Sequence, residues 1–417
     1  MSNPDLLARV AKALNQSFSP SGEEGVPETA KFQLENEKEL ESLFVDCKSN
    51  FGTANAVTVE IFLRLFDVLI GLYRLDRCED LLKEMIPAID RLEAKAVSGT
   101  ASSSLTSKYK LKAIQCLAFT KWKQGKLQEA LDLFIQMESM MKEPSPTLLE
   151  NMGHTYSSLG DLEKAEKYFN RAIEAGGANK GGLLLGLGLV SERSGDLETG
   201  LEKCLEALRW YEGKFSHASN ESSLEAKCCM SIAKIYQKLK NQEIALEFAS
   251  RAVDNFRRTC GSDSPLLASA LKVQGEILAA QSSTQGRALT VLHESFRIEA
   301  TKDVVDMVGM MELIHVLTKV AQKIPEVNDR DAAFKSSFAA AEIACENIRK
   351  KLQPDGNVAA FLKFVAELGV YSNELKKAKQ LLEEALPLFK NEKSIDCTGI
   401  IQQCEQIVAL IDQKIAA

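Results

Sequence analysis

Four histidines, ten cysteines and one glycine-rich loop are the residues of this chain that could do chemistry. His154, His217, His293 and His315 lie far apart, and none has a second His or Cys at helical spacing, so they make no metal set. His293 precedes Glu294 but lacks the second histidine that a zinc-protease helix requires. The cysteines, at 47, 78, 116, 204, 228, 229, 260, 345, 397 and 404, include no Cys-x-x-Cys pair and no even spacing. They read as buried thiols of a reducing compartment rather than a disulfide framework or zinc site. Gly176 to Gly182, GGANKGG, has the composition of a phosphate cradle, but Lys180 is not followed by Ser or Thr and no strand precedes it. It reads as a turn between helices. Gly186 and Gly188 lack the third glycine of a dinucleotide fingerprint. No nucleophile elbow, paired acidic motif or Cys-His pair stands out, so the sequence points away from an enzyme and calls for no cofactor and no metal. Asn220-Glu-Ser222 matches a glycosylation acceptor, which matters only in a secreted chain.

The elements that position these residues are helices. Gly160 to Ala172 reads GDLEKAEKYFNRA, and the same frame begins at Gly125 and Gly195, 35 residues to either side. A period of 20 to 50 residues marks stacked repeats rather than a closed globule. Aromatic content of 6% and few candidate strands agree with an all-α chain, and 45% hydrophobic residues with 26% charge suit a folded one. A net charge of −7 argues against a nucleic-acid binder, and the longest apolar run, Leu183 to Val190, is too short to insert in a membrane. Residues 1–27 read as a flexible N-terminal segment, with an amphipathic stretch at 5–18 and a Ser-, Pro-, Gly- and Glu-rich linker at 17–27. Residues 28–107 read as an N-terminal helix followed by a degenerate hairpin. Repeats are expected over 108–300, with helices near 109–123 and 127–141, 147–158 and 162–175, 181–193 and 197–213, 222–239 and 242–259, and 265–281 and 285–299. Divergent pairs follow over 301–392, at 303–323 with 329–352 and 357–370 with 374–390. The last segment, 393–417, reads as a helix that caps the array. The next step, Gly200 to Ala245, is 45 residues rather than 35, so the helices or loop around 210–223 are longer.

Two helices of a tight hairpin come closest at fixed points where only Ala, Gly or Ser fits. In the second full unit these points are Gly153, Ala165 and Ala172, with Leu149, Met152, Tyr156 and Phe169 between them and Gly160 at the turn. Residues 147–175 therefore resemble a tetratricopeptide repeat. The preceding unit matches through Ala118, Gly125, Ala130 and Phe134. The following one matches through Gly188, Gly195 and Ala207, with Gly200 and Cys204 in place of the usual Ala and aromatic. Ala233, Tyr236, Ala245 and Ala252 fit a longer repeat, and the loop Thr259 to Leu267 resembles that of kinesin-light-chain and nephrocystin-type repeats. The resemblance implies an α-solenoid, a right-handed superhelix of antiparallel helix pairs whose first helices line a concave groove, in a scaffold or adaptor that binds other proteins.

In the family's register, positions 2, 5, 9, 12 and 13 of each first helix face that groove. The residues so selected include Lys112, Gln115, Phe119, Trp122 and Lys123, then Glu150, His154, Ser157 and Ser158. Leu185, Leu189, Glu192 and Arg193 follow, then Lys227, Met230, Lys234 and Lys238, and finally Lys272 and Glu276. Seven Lys or Arg against three acids make this surface basic in an acidic protein. Acidic or amphipathic protein segments are the partners it favours. The plainer alternatives are that the lysines are a solvated helix face and that Trp122, Phe119, Leu185, Leu189 and Met230 pack within the array. Of the clamp by which some members grip a terminal carboxylate, only Asn151 is present, which argues against a co-chaperone. The acidic run Glu35, Glu37, Glu39 and Glu41 suggests that residues 1–55 could instead fill the basic groove in cis. A cytoplasmic place is expected, with a mitochondrial or ciliary one as alternative. The competing function is that of a fixed subunit of a ciliary, microtubule-associated or organellar complex, or of an organelle assembly factor.

Overall fold

A computed structural model of the chain describes residues 4–15, 27–71, 74–97, 103–214, 219–301, 307–351, 354–392 and 396–416. Among them every regular element is helical. They divide into two compact units, Met1–Leu224 and Glu225–Ala417. The first unit holds α1 (Pro4–Asn15), α2 (Pro27–Phe51), α3 (Ala56–Gly71), α4 (Leu75–Val97), α5 (Ser103–Lys123), α6 (Leu127–Met140), α7 (Pro146–Leu159), α8 (Leu162–Glu174), α9 (Lys180–Ser194) and α10 (Leu197–Lys214). The boundary falls within α11 (Ser219–Lys238). The second unit continues with α12 (Gln242–Cys260), α13 (Pro265–Leu278), α14 (Gln285–Thr301), α15 (Met307–Gln322), α16 (Val327–Lys351), α17 (Gly356–Tyr371), α18 (Leu375–Asn391) and α19 (Thr398–Ala416). Within each unit successive helices pack on one another, as a stack of hairpins requires. The long step after Gly195 lengthens helices: α10, α11 and α12 have 18, 20 and 19 residues, against 13 and 15 in α8 and α9.

Local chemistry explains where the hairpins begin and turn. Ser145 caps α7 by accepting from the Leu148 amide, and Pro146 occupies the first helical position, where its missing N–H costs nothing. Gly160 then ends α7 in the left-handed region at φ 88°, and the Asp161 amide reaches back to the Tyr156 carbonyl at 3.0 Å. The same six-residue return joins Lys126 to Lys121, Asn241 to Tyr236 and Glu374 to Gly369, each at 2.9 Å. Two of these turns use no glycine: Lys240 sits at φ 59° and Asn373 at φ 61°. A lysine held there stores strain that glycine relieves, since the left-handed region costs an L-residue with a Cβ roughly 1–2 kcal/mol. Lys240→Gly is expected to stabilise the second unit by about 1 kcal/mol, less the extra chain entropy of glycine. A urea midpoint that fails to rise would contradict this.

Close helix approaches in the first unit are built on glycine in α7 and α9. A Cβ on Gly153 would lie 2.9 Å from the Phe169 ring and one on Gly186 2.8 Å from it, so this fully buried ring is wedged between two bare backbones. A Cβ on Gly188 would lie 2.5 Å from Cys204 Sγ and 3.1 Å from the Gly200 carbonyl oxygen. Here α9 and α10 touch backbone to backbone.

The N-terminal residues depart from the flexible segment expected over 1–27. α1 buries Leu6, Val10 and Ala13 in the core formed with α2, α3 and α4, and Arg9 pairs with Asp46 at 2.7 Å. The Arg64 guanidinium on α3 donates to the Leu14 carbonyl at 2.7 Å, satisfying the end of the helix. Residues 16–26, the expected linker, lie outside the described residues. Three acids of the α2 run pair locally rather than in a groove. Glu39 meets Lys12 of α1 at 3.4 Å, Glu41 meets Arg77 of α4 at 2.9 Å and Glu37 lies 3.8 Å from Arg74, just before α4.

Ion pairs also stitch alternate helices together. In the first unit Lys48 of α2 meets Glu84 of α4 and Arg171 of α8 meets Glu138 of α6. In the second, Arg257 of α12 meets Glu294 of α14, while Lys377 and Arg349 meet Glu342 and Glu384 between α16 and α18. All join second helices of neighbouring hairpins. Each is at least partly exposed and adds little stability alone. The seam continues to α19, where Lys379 reaches Asp412. Cys404 and Ile411 of α19 are buried against the last hairpin, the position of a cap.

Candidate protein-binding site

A cleft of about 420 Å³ opens in the first unit between α3, α5 and α7, with Met137 and Phe134 of α6 behind it. From the residues selected by sequence it brings together Lys112, Gln115 and Asn151. Lys112 Nζ donates to Gln115 Oε1 at 3.2 Å. The cleft continues, through the shared residues Phe134 and Asn151, into a pocket of about 160 Å³ walled by Phe119, Trp122, His154 and Thr155. Phe119 and Trp122 are stacked at 5.9 Å, and Lys123 Nζ lies 5.5 Å from both ring centroids. His154 stands edge-on to Phe169 at 4.9 Å.

Several cleft residues were invisible to the register rule. Glu60, Arg64 and Asp67 come from α3, in the hairpin read as degenerate, and Lys108 precedes the first register position of α5. Burial pushes the Asp67 carboxyl above its ordinary value, opposed by Lys112 and then Arg64. The Tyr109 phenol, pushed up to about 12 by burial and by Glu60, hydrogen-bonds the Glu60 carboxylate. Burial also raises Glu150.

Other selected residues are placed differently. Leu185 is buried at 8% exposure and is no anchor for a partner. The glycines of α9 let its neighbours approach so closely that nine of its 15 residues are buried. Leu189 is half-buried, and Arg193 donates to both the carbonyl and the hydroxyl of Ser157 on α7. In the second unit Lys227 and Lys234 are half-buried on α11 and Lys238 is exposed. Met230 packs with Ala233, Ala245 and Ala249 inside its hairpin. Lys272 is tied to Glu312 of α15. The Glu276 carboxyl beside it is raised by burial, with Lys272 and Lys234 pulling the other way.

The chemistry-bearing residues stay dispersed. All ten cysteines are buried free thiols, and burial pushes Cys78, Cys116, Cys204 and Cys345 to about 12, where a thiolate nucleophile is suppressed. Among the described residues no His, Cys, Asp or Glu group could hold a metal ion. His293 Nε2 is 2.8 Å from Ser337 Oγ, and burial lowers its affinity for a proton. His217 lies outside the described residues. Among the described residues no helix is long and apolar enough to cross a membrane.

Hairpins closed by left-handed turns, with small residues at the crossings, define an α-solenoid. Residues 146–175 match the family described as tetratricopeptide repeat. No curated protein matches the sequence. Among solved structures, the apo quorum sensor NprR from B. thuringiensis is 14% identical with a TM-score of 0.51, covering 92% of this chain and 98% of its own. A tetratricopeptide repeat protein from Parabacteroides merdae is 12% identical with a TM-score of 0.38, covering 84% and 98%. Apo RapI is 15% identical with a TM-score of 0.43, covering 67% and 97%. At these identities the likeness to NprR is one of fold.

Proposed function

We propose that the protein is a non-enzymatic scaffold or adaptor, working in the cytoplasm, that holds acidic or amphipathic segments of other proteins on the faces of its first helices. One observation carries this reading: first helices of both units carry a cation that no carboxylate holds. On the second helices Lys48, Arg171, Arg257, Arg349 and Lys377 are each held by a carboxylate of the neighbouring hairpin. On the first helices Lys110, Lys121 and Lys272 are held likewise, but Lys112 meets an amide and Lys227 has no ion pair among the described residues. Paired charges attract no partner strongly, whereas unneutralised ones steer an acidic segment and favour it once bound. The site residues enter this proposal as two sets, Lys112, Gln115, Phe119, Lys123, Asn151 and His154 in the first unit and Lys227, Lys234 and Lys238 in the second.

The test is affinity purification with mass spectrometry of the wild type and of Lys227/Lys234/Lys238→Glu. Specific partners are expected to be depleted on the order of tenfold or more, equivalent to about 1.4 kcal/mol. Wild-type capture should also weaken with ionic strength. A second reading, a fixed subunit of a ciliary, microtubule-associated or organellar complex or of its assembly machinery, draws on Leu410 and Ile415. These leave α19 58% and 44% exposed, apolar surface suited to an end-on contact. A co-purifying set unchanged by the triple substitution would favour it.

A further inference from the structure

We propose that the narrow end of the first unit's cleft is a specificity pocket for one bulky apolar side chain of a partner segment, with carboxylates of that segment lying along Lys108, Lys112 and Arg64. This deepens the scaffold reading and rests on it. The pocket's volume of about 160 Å³ is that of a cavity able to take a benzene ring. Its walls are mostly aromatic: Phe119 and Trp122 on α5 and Phe134 below, with His154, Asn151 and Thr155 of α7 opposite. The Thr155 hydroxyl already donates to the Asn151 carbonyl at 2.7 Å and so offers little to a water. Three aromatic rings on one side of such a pocket favour an aromatic or large aliphatic side chain. Lys123, lying over both rings, braces the wall.

The wider cleft supplies the second half of the recognition. It sets Arg64, Lys108 and Lys112 against two carboxylates, Glu60 and Asp67. Three cations face two carboxylates. The balance is cationic. Lys112 and Phe119 are seven residues apart on α5, about 10 Å along a helix. An extended segment rising ~3.3 Å per residue covers that distance in about three residues. The partner therefore carries an acidic residue about three positions from a Phe-, Leu- or Met-sized anchor.

Random peptides displayed on phage and selected on the full-length protein test this. Enriched peptides are expected to share that pattern. They should bind Trp122→Ala and Lys112→Glu at least tenfold more weakly, while Trp122→Phe, which keeps a ring in the wall, retains binding. Trp122 and Trp210 are the two tryptophans of the chain, so in a Trp210→Phe background the emission of Trp122 should shift as a selected peptide binds. Helical circular dichroism of each variant verifies folding. Peptides lost with Lys227/Lys234/Lys238→Glu but indifferent to Trp122→Ala would overturn the pocket and leave the scaffold reading standing. An absence of any enriched peptide would overturn both.

Discussion

Phe169→Ala is expected to destabilise the first unit by about 3–5 kcal/mol, the cost of emptying a fully buried aromatic site. The surroundings can close the hole only in part. Gly153 and Gly186 face the ring with no side chains to swing inward, and the backbones of α7 and α9 are themselves held by Tyr156, Leu183 and Leu187 in the same core. In a repeat array a local loss spreads mainly to adjacent hairpins. Hydrogen exchange should therefore rise most over α7 to α10, with a lower urea midpoint for the unit. Protection unchanged over α7 and α9 would show that the ring is not the wedge described above.

Gly188→Ala tests the neighbouring contact. Alanine ordinarily stabilises a helix by about 1 kcal/mol relative to glycine, so the substitution would help if space allowed. Space does not allow it, because the new methyl meets Cys204 Sγ at 2.5 Å, the Gly200 carbonyl oxygen at 3.1 Å and the Cys204 amide nitrogen at 3.2 Å. A net loss of about 1–3 kcal/mol is expected, as for overpacking elsewhere. The double variant Gly188→Ala/Cys204→Ala separates the causes. It removes the sulfur and leaves the backbone contacts, so rescue should be partial. Full rescue in a thermal melt would mean that only the thiol stood in the way.

Much of the hairpin pattern could be read from the residues because the turn and crossing chemistry is local. Gly125, Gly160 and Gly195 announced three turns, and all three take positive φ, from 75° to 93°. Lys240 and Asn373 make the same kind of turn unannounced, since a tertiary frame can hold an ordinary residue where propensity alone would call for glycine. The cleft was less legible. Lys112, Gln115, Phe119 and His154 follow from the family's register and Asn151 from its clamp, but Arg64 and Asp67 depend on how α3 packs beside α5, which no spacing within either helix reveals. Leu185 failed for the opposite reason. Its register position assumes a helix of ordinary girth, and the glycines of α9 let its neighbours close over it. The N-terminal helix was underrated because its buried face, Leu6, Val10 and Ala13, is short and its docking site lies beyond the linker.

The ion pairs between second helices have a bearing on how such a chain can lengthen. Glu41 with Arg77, Lys48 with Glu84, Arg257 with Glu294 and Arg349 with Glu384 each join residues 35 to 37 positions apart, close to one repeat. A separation of one repeat means that the two partners occupy equivalent positions of successive hairpins, so in each pair the charge at that position changes sign from one hairpin to the next. Duplication of a single hairpin would therefore set like charge against like along that seam. Growth by two hairpins at a time keeps the alternation and needs no compensating change.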